Sequence, residues 1–142
     1  GVGAARRHVD AVRRSSGGVP VSRGGWARPA PEAVIQRTLA QRLDLARLLW
    51  CHVPNGGSRG SIVEAVNLRR AGVKGGVPDV LIFTPTAAAP HGVALELKAD
   101  KGVLSDAQRE WLDSLRAIGW AAIVAYGLDD AVAQLRALGY RV

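Results

Sequence analysis

Two apolar runs of strand length, Val93–Lys98 (VALELK) and Trp120–Tyr126 (WAAIVAY), are separated by a segment whose apolar residues repeat at helical spacing. Trp111, Leu112, Leu115 and Ile118 fall on one face of that segment. Ser105-Asp106-Ala107-Gln108 before it matches a capping box, and Gly119 after it is a stop signal. A strand returned to the same sheet through a helix pairs in parallel. The chain is therefore expected to be an α/β protein, with a sheet flanked by helices. The unbroken apolar character of Trp120–Tyr126 predicts a strand buried on both faces.

The remaining elements follow from local signals. Pro31 and Glu32 open a helix, proline suiting the first turn and the acid suiting the positive end of the helix dipole. Val34, Ile35, Leu39, Leu43, Ala46 and Leu49 give that helix an apolar face. Trp50–Val53 reads as a short strand that Pro54-Asn55-Gly56-Gly57 ends as a turn. Ser58-Arg59-Gly60 continues the loop, without the lysine and spacing of a phosphate-binding P-loop. A second helix, from about Ser61 to Arg70, carries Ile62, Val63, Val66 and Leu68 and is closed by Gly72. Val77–Phe83 is a strand joined to Val93–Lys98 by a loop, Thr84–His91, with two prolines. The chain finishes with a helix from Asp129 or Asp130 to Leu138, Gly139, and a short strand at Tyr140–Val142. The sum is a mixed central sheet with only part of its pairing parallel. A helix over Ala4–Arg14 is the one element expected before Pro31.

Length and charge narrow the function classes. A chain of 142 residues, nearly half of them hydrophobic, is one domain with a core of its own. No apolar run reaches the ~20 residues of a membrane span. The arginine-rich start has no apolar signal-peptide core, and a single cysteine, Cys51, precludes an internal disulfide. These features predict a cytoplasmic protein without membrane partners. The net charge of +7 is uneven, since residues 1–30 hold six arginines against one aspartate. That segment reads as a solvated basic Gly/Arg-rich extension ahead of a domain at 31–142, in preference to a specific DNA-binding arm.

The hairpin carries charge where buried strands usually do not. Glu96 and Lys98 are two apart and point to one face, with Leu95 and Leu97 on the other. Antiparallel pairing brings Asp79, at the start of the first strand, to the same end. Two converging carboxylates repel unless a cation lies between them. Oxygen donors without a His or Cys partner favour Mg²⁺ or Mn²⁺. Such an ion beside a lysine suits hydrolysis of a phosphodiester. The same three groups also make a plain ion-pair network, and composition leaves both readings open. Glu32 reads locally as a dipole-stabilising acid, and Gln108 as the reciprocal cap to Ser105, although its position faces inward.

Pro78-Asp79 followed after sixteen residues by Glu96-Leu97-Lys98 is similar to the PD-(D/E)XK nuclease signature. With His52-Val53-Pro54-Asn55-Gly56-Gly57, Gly72–Asp79 and Ser105–Gln108 in that order, the chain resembles the VRR-Nuc branch of that superfamily over about Glu32–Tyr140. It is most like the small stand-alone phage and bacterial members. The resemblance implies a restriction-endonuclease-like αβββαβ core. It implies a metal held by Asp79, Glu96, the Leu97 carbonyl and Glu32, with Lys98 as the catalytic lysine and Gln108 placing the lysine or the water. It further implies a structure-selective DNA endonuclease of replication, repair or recombination, working as a homodimer on four-way junctions or other branched DNA. Lys74, Asn55, Arg59 and Lys101 are candidate DNA contacts. The alternatives are a non-catalytic branched-DNA-binding module with this fold, and a duplex-directed restriction-type nuclease.

Overall fold

The structure, a computed structural model, describes residues 31–54 and 61–142. Its elements are α1 (Pro31–Leu45), β1 (Trp50–His52), α2 (Ile62–Arg70), β2 (Val80–Ile82), β3 (Val93–Lys98), α3 (Asp106–Ala117), β4 (Ala121–Tyr126) and α4 (Leu128–Ala137). With α2 as an insertion and α4 as an addition, this is the expected αβββαβ order in a mixed sheet flanked by helices. The expected helix at Ala4–Arg14 lies outside the described residues.

The sheet runs β1-β2-β3-β4. β1 pairs antiparallel with β2, β2 antiparallel with β3, and β3 parallel with β4 through the α3 crossover. Period-two alternation then divides β3 between two cores. Val93, Leu95 and Leu97 join Leu39 and Leu43 of α1 and Leu135 of α4 in the larger cluster. Ala94 faces the other way, with Leu112 of α3 and Ala122 of β4. Glu96 and Lys98 lie on that second face, where the apolar packing is thinner and α3 brings polar groups.

Several local expectations are corrected. Only Val80–Ile82 of the first hairpin strand forms ladder pairs, because Pro78 has no N–H to donate and the approach to Asp79 is a bend. β3, not β4, is the strand buried along its length. β4 is an edge strand, half-buried at several positions, and ends in an exposed Tyr126. Tyr140–Val142 forms no strand. The Tyr140 ring is buried and its hydroxyl donates to the Thr84 carbonyl at 2.6 Å, so side-chain anchoring replaces pairing there. α4 begins at Leu128, ahead of its aspartates, with Asp130 accepting from Tyr126 N at 2.8 Å. Val34, Leu49 and Ile118 lie outside the buried stripes they were assigned to, each being exposed. No residue of α2 is buried. No helix among the described residues is long and apolar enough to cross a membrane.

Candidate active site

The site is built where β2 begins and β3 ends. Continuing the β2–β3 register beyond the Val80–Leu95 pair brings Asp79 beside the end of β3. Its Oδ2 accepts from Leu97 N at 2.9 Å. Its main-chain carbonyl takes Val53 N at 2.8 Å and lies 2.9 Å from His52 Nδ1. With Val53 N already donating there, the imidazole's hydrogen on Nδ1 completes the carbonyl's two lone pairs. Asp79 is thus locked to both neighbouring strands.

Glu96 is 1% exposed, the single buried charged residue among those described. Its Oε1 meets Lys98 Nζ at 2.9 Å and accepts from Gln108 Nε2. Its Oε2 is buried and has no hydrogen-bond partner among the described residues. Gln108 also closes the capping box of α3. Its Oε1 accepts from Ser105 N at 2.9 Å and from Lys98 Nζ at 3.2 Å, while its own N–H donates to Ser105 Oγ at 3.2 Å. Capping and site-building therefore do not compete for the glutamine. An amide oxygen has two lone pairs, and the amide nitrogen is left over for Glu96.

Burial raises both carboxyls. For Asp79, desolvation outweighs the opposing bond from Leu97 N and the nearby positive charges of Lys98 and His52, while Glu32 pushes the same way as burial. For Glu96, desolvation outweighs the bond from Lys98, and the charge of Asp79 adds to it. Two half-compensated carboxylates, one with an orphaned oxygen, are what a hard cation would relieve. The two carboxylates therefore fit a hard ion such as Mg²⁺ or Mn²⁺. Among the described residues no three His, Cys, Asp or Glu side chains gather into an ion-binding group. Glu32 in particular stands at the rim, accepting from Ala99 N at 3.3 Å.

Asp79, Glu96, Lys98 and Gln108 are thus brought together, with Glu32 one bond away at the end of β3. Lys74 and Lys101 are exposed and make no described contact with the cluster. Asn55 and Arg59 lie outside the described residues. Sequence reasoning missed the cleft that opens from Asp79, of about 510 Å³, into which Glu32, Gln36, Arg37, Trp50, His52 and Leu97 project. Its signal was available, since Gln36 and Ala40 follow Glu32 at successive four-residue steps and so share its face of α1. The loop before Asp79 has two supports, of which the paired glycines were expected to allow a close approach or a positive φ and the tryptophan bond was missed. Trp111 Nε1 donates to the Gly75 carbonyl at 3.0 Å. Gly76, at φ +82°, passes so close to α3 that a Cβ would sit 2.6 Å from the Ala107 carbonyl carbon.

The VRR-NUC domain pattern matches residues 30–129. A solved structure described as a VRR_NUC domain protein superposes with a TM-score of 0.62 at 24% identity, covering 79% of this chain and 90% of the other. That likeness supports the fold. No curated protein sequence matches the chain.

Proposed function

This chain belongs to the VRR-NUC domain family, a nuclease-type family, and from that premise we propose that it is a divalent-metal-dependent DNA endonuclease that acts on branched DNA as a homodimer. The observation that carries the metal-dependent reading is Glu96. It is a buried carboxylate with one oxygen committed to Lys98 and Gln108 and the other without a hydrogen-bond partner among the described residues, beside the half-buried carboxylate of Asp79.

Asp79 and Glu96 would hold the ion with the Leu97 carbonyl, and Glu32 would add negative charge from the rim. When bound, the ion supplies polarisation of a phosphoryl oxygen and a more acidic water. The chain's own groups supply orientation. Lys98 Nζ is fixed between Glu96 Oε1 and Gln108 Oε1. Its remaining N–H is free to point at a phosphate oxygen, where charge develops as the phosphodiester opens. Gln108 is a positioning residue, since it holds Lys98 and Glu96 together from α3. A homodimer would offer two such centres to the two strands of a junction.

A cleavage panel tests the reading, with linear duplex, flap, splayed-arm and four-way DNA offered with Mg²⁺ or Mn²⁺. Branch-selective cutting that stops in chelator supports it. Junction binding without product under either ion identifies a binding module instead. Equal cutting of linear duplex removes the branch selectivity.

A further inference from the structure

We propose that the cleft beside Asp79 is a nucleobase pocket, and that the enzyme takes one unpaired nucleotide of the strand it cuts into this cleft. This rests on the nuclease reading of the adjoining carboxylates and names the local substrate feature that reading leaves open.

The cleft and the reaction centre share residues, since Asp79, Leu97 and Glu32 line both. Whatever occupies the cleft is therefore an immediate neighbour of the scissile phosphate. At about 510 Å³ the cleft lies within the roughly 300–1,000 Å³ of small-ligand pockets. That is room for one nucleotide, and a stacked base pair does not enter it. It is kept open by small side chains of α1, the half-buried Ala40 in the floor and the exposed Ala33 at the mouth.

The walls suit a base better than a backbone. Trp50 is pinned by its indole N–H, which donates to Asp44 Oδ1 at 2.8 Å, and the His52 ring is pinned by Nδ1 against the Asp79 carbonyl. Fixed flat rings of this kind are stacking platforms for unpaired bases. Gln36 lines the cleft and its amide nitrogen is buried with no hydrogen-bond partner among the described residues. A buried amide donor of this sort is normally satisfied, and a base edge offers the acceptors to satisfy it. Arg37 lines the cleft too, is exposed, and has no ion-pair partner among the described residues, which leaves its guanidinium for the adjoining phosphate. Taking a base out of its stack costs least where pairing is already lost. The pocket thereby gives a physical reason for preferring branch points over continuous duplex.

The test walks an abasic linker along the cut strand on each side of the cleavage point. One position is expected to raise KM about tenfold in the wild-type protein, the order of a lost base stack, with other positions near neutral. Ala40→Phe fills the floor, and Ala33→Phe, at an exposed position, fills the mouth with little risk to folding. In either variant the difference between base-bearing and abasic substrate is expected to collapse. In parallel, 2-aminopurine is placed at successive positions of single-stranded DNA, and its fluorescence is followed on binding in chelator, where no cutting occurs. Quenching at one position by wild type, lost in the two variants, supports the pocket even if no DNA is cleaved under any ion, an outcome that would remove the nuclease reading alone. Uniform KM across the abasic series together with no position-specific quenching overturns the pocket.

Discussion

Lys98 and Asp79 make separable demands on the site. In the proposed mechanism Lys98 would contribute charge without holding the ion, while Asp79 would hold it. Lys98→Ala is therefore expected to lower the cleavage rate by about 10²–10³, the usual consequence of losing one donor aimed at developing charge, while Mn²⁺ still raises the melting temperature. Asp79→Ala is expected to lose both cleavage and the Mn²⁺-dependent shift in melting, with circular dichroism unchanged. A Lys98→Ala protein that cuts at the wild-type rate would leave the lysine without its assigned role. The raised carboxyls give a second test, with its sign fixed by linkage. Their folded-state pKa values lie above the ordinary 3.8 of Asp79 and 4.5 of Glu96. The folded state then holds protons that the unfolded state has released. Their contribution to stability is present in full below those ordinary values and is lost as pH rises through the raised ones. In chelator, Asp79→Asn should therefore gain on wild type in melting temperature as pH rises from about 4 to 7. Saturating Mg²⁺ should reverse the difference near pH 7, because the ion favours the ionised carboxylate. Melting curves across pH, with and without the ion, decide it.

Helix α3 works as the clamp of the site. Its first turn carries Gln108 to Lys98 and Glu96, its next turn carries Trp111 to the Gly75 carbonyl, and Ala107 is the surface against which Gly76 passes. Removing the cap by Ser105→Ala should cost about 1 kcal/mol of stability. The change takes the acceptor from Gln108 N while the bond from Ser105 N to Gln108 Oε1 remains. By loosening the turn that carries Gln108 it should also lower kcat more than KM, and Ser105→Thr should restore both. If kcat survives a measurable loss of stability, the cap is structural and does not position the lysine. Gly76→Ala should be the more damaging change. It combines a left-handed backbone with a direct clash against main-chain atoms of α3, and either relief moves the approach to Asp79. Thermal melting and cleavage should fall together.

The same elements show what the sequence could and could not reveal. The capping box, the parallel crossover and the facing of Glu96 against Leu95 and Leu97 were legible because each depends on local spacing. The edge position of β4 was not, since an apolar run does not state how many neighbours it has, and α3 and α4 cover it without a further strand. The loss of a strand at Tyr140 turned on one long-range bond to Thr84. One wall of the cleft was legible as the face of α1 shared by Glu32, Gln36 and Ala40, but the other needed β1 to be juxtaposed, which no local pattern announces.

At the scale of the whole molecule the question is how a domain with acidic chemistry reaches an acidic polymer. Five of the seven net positive charges fall in residues 1–30, so residues 31–142 carry a small excess around a site that itself gathers carboxylates. Residues 31–142 are thus close to neutral towards DNA, and general attraction is expected to come largely from the arginines before Pro31. Neutralising phosphates raises affinity and sets its salt dependence without reading structure or sequence. Deleting residues 1–30 is therefore expected to weaken binding to duplex, flap and four-way DNA by a similar factor. The slope of log affinity against log salt should also flatten, by about 0.9 for each duplex phosphate that the shortened protein no longer neutralises. The rank order of substrates and the cleavage position should stay as they were, because the groups that recognise the strand lie on α1, β1 and the end of β3. An altered rank order in the truncated protein would move recognition into the arginine segment. An unchanged salt slope would leave those arginines with no part in binding and place the attraction on the body itself.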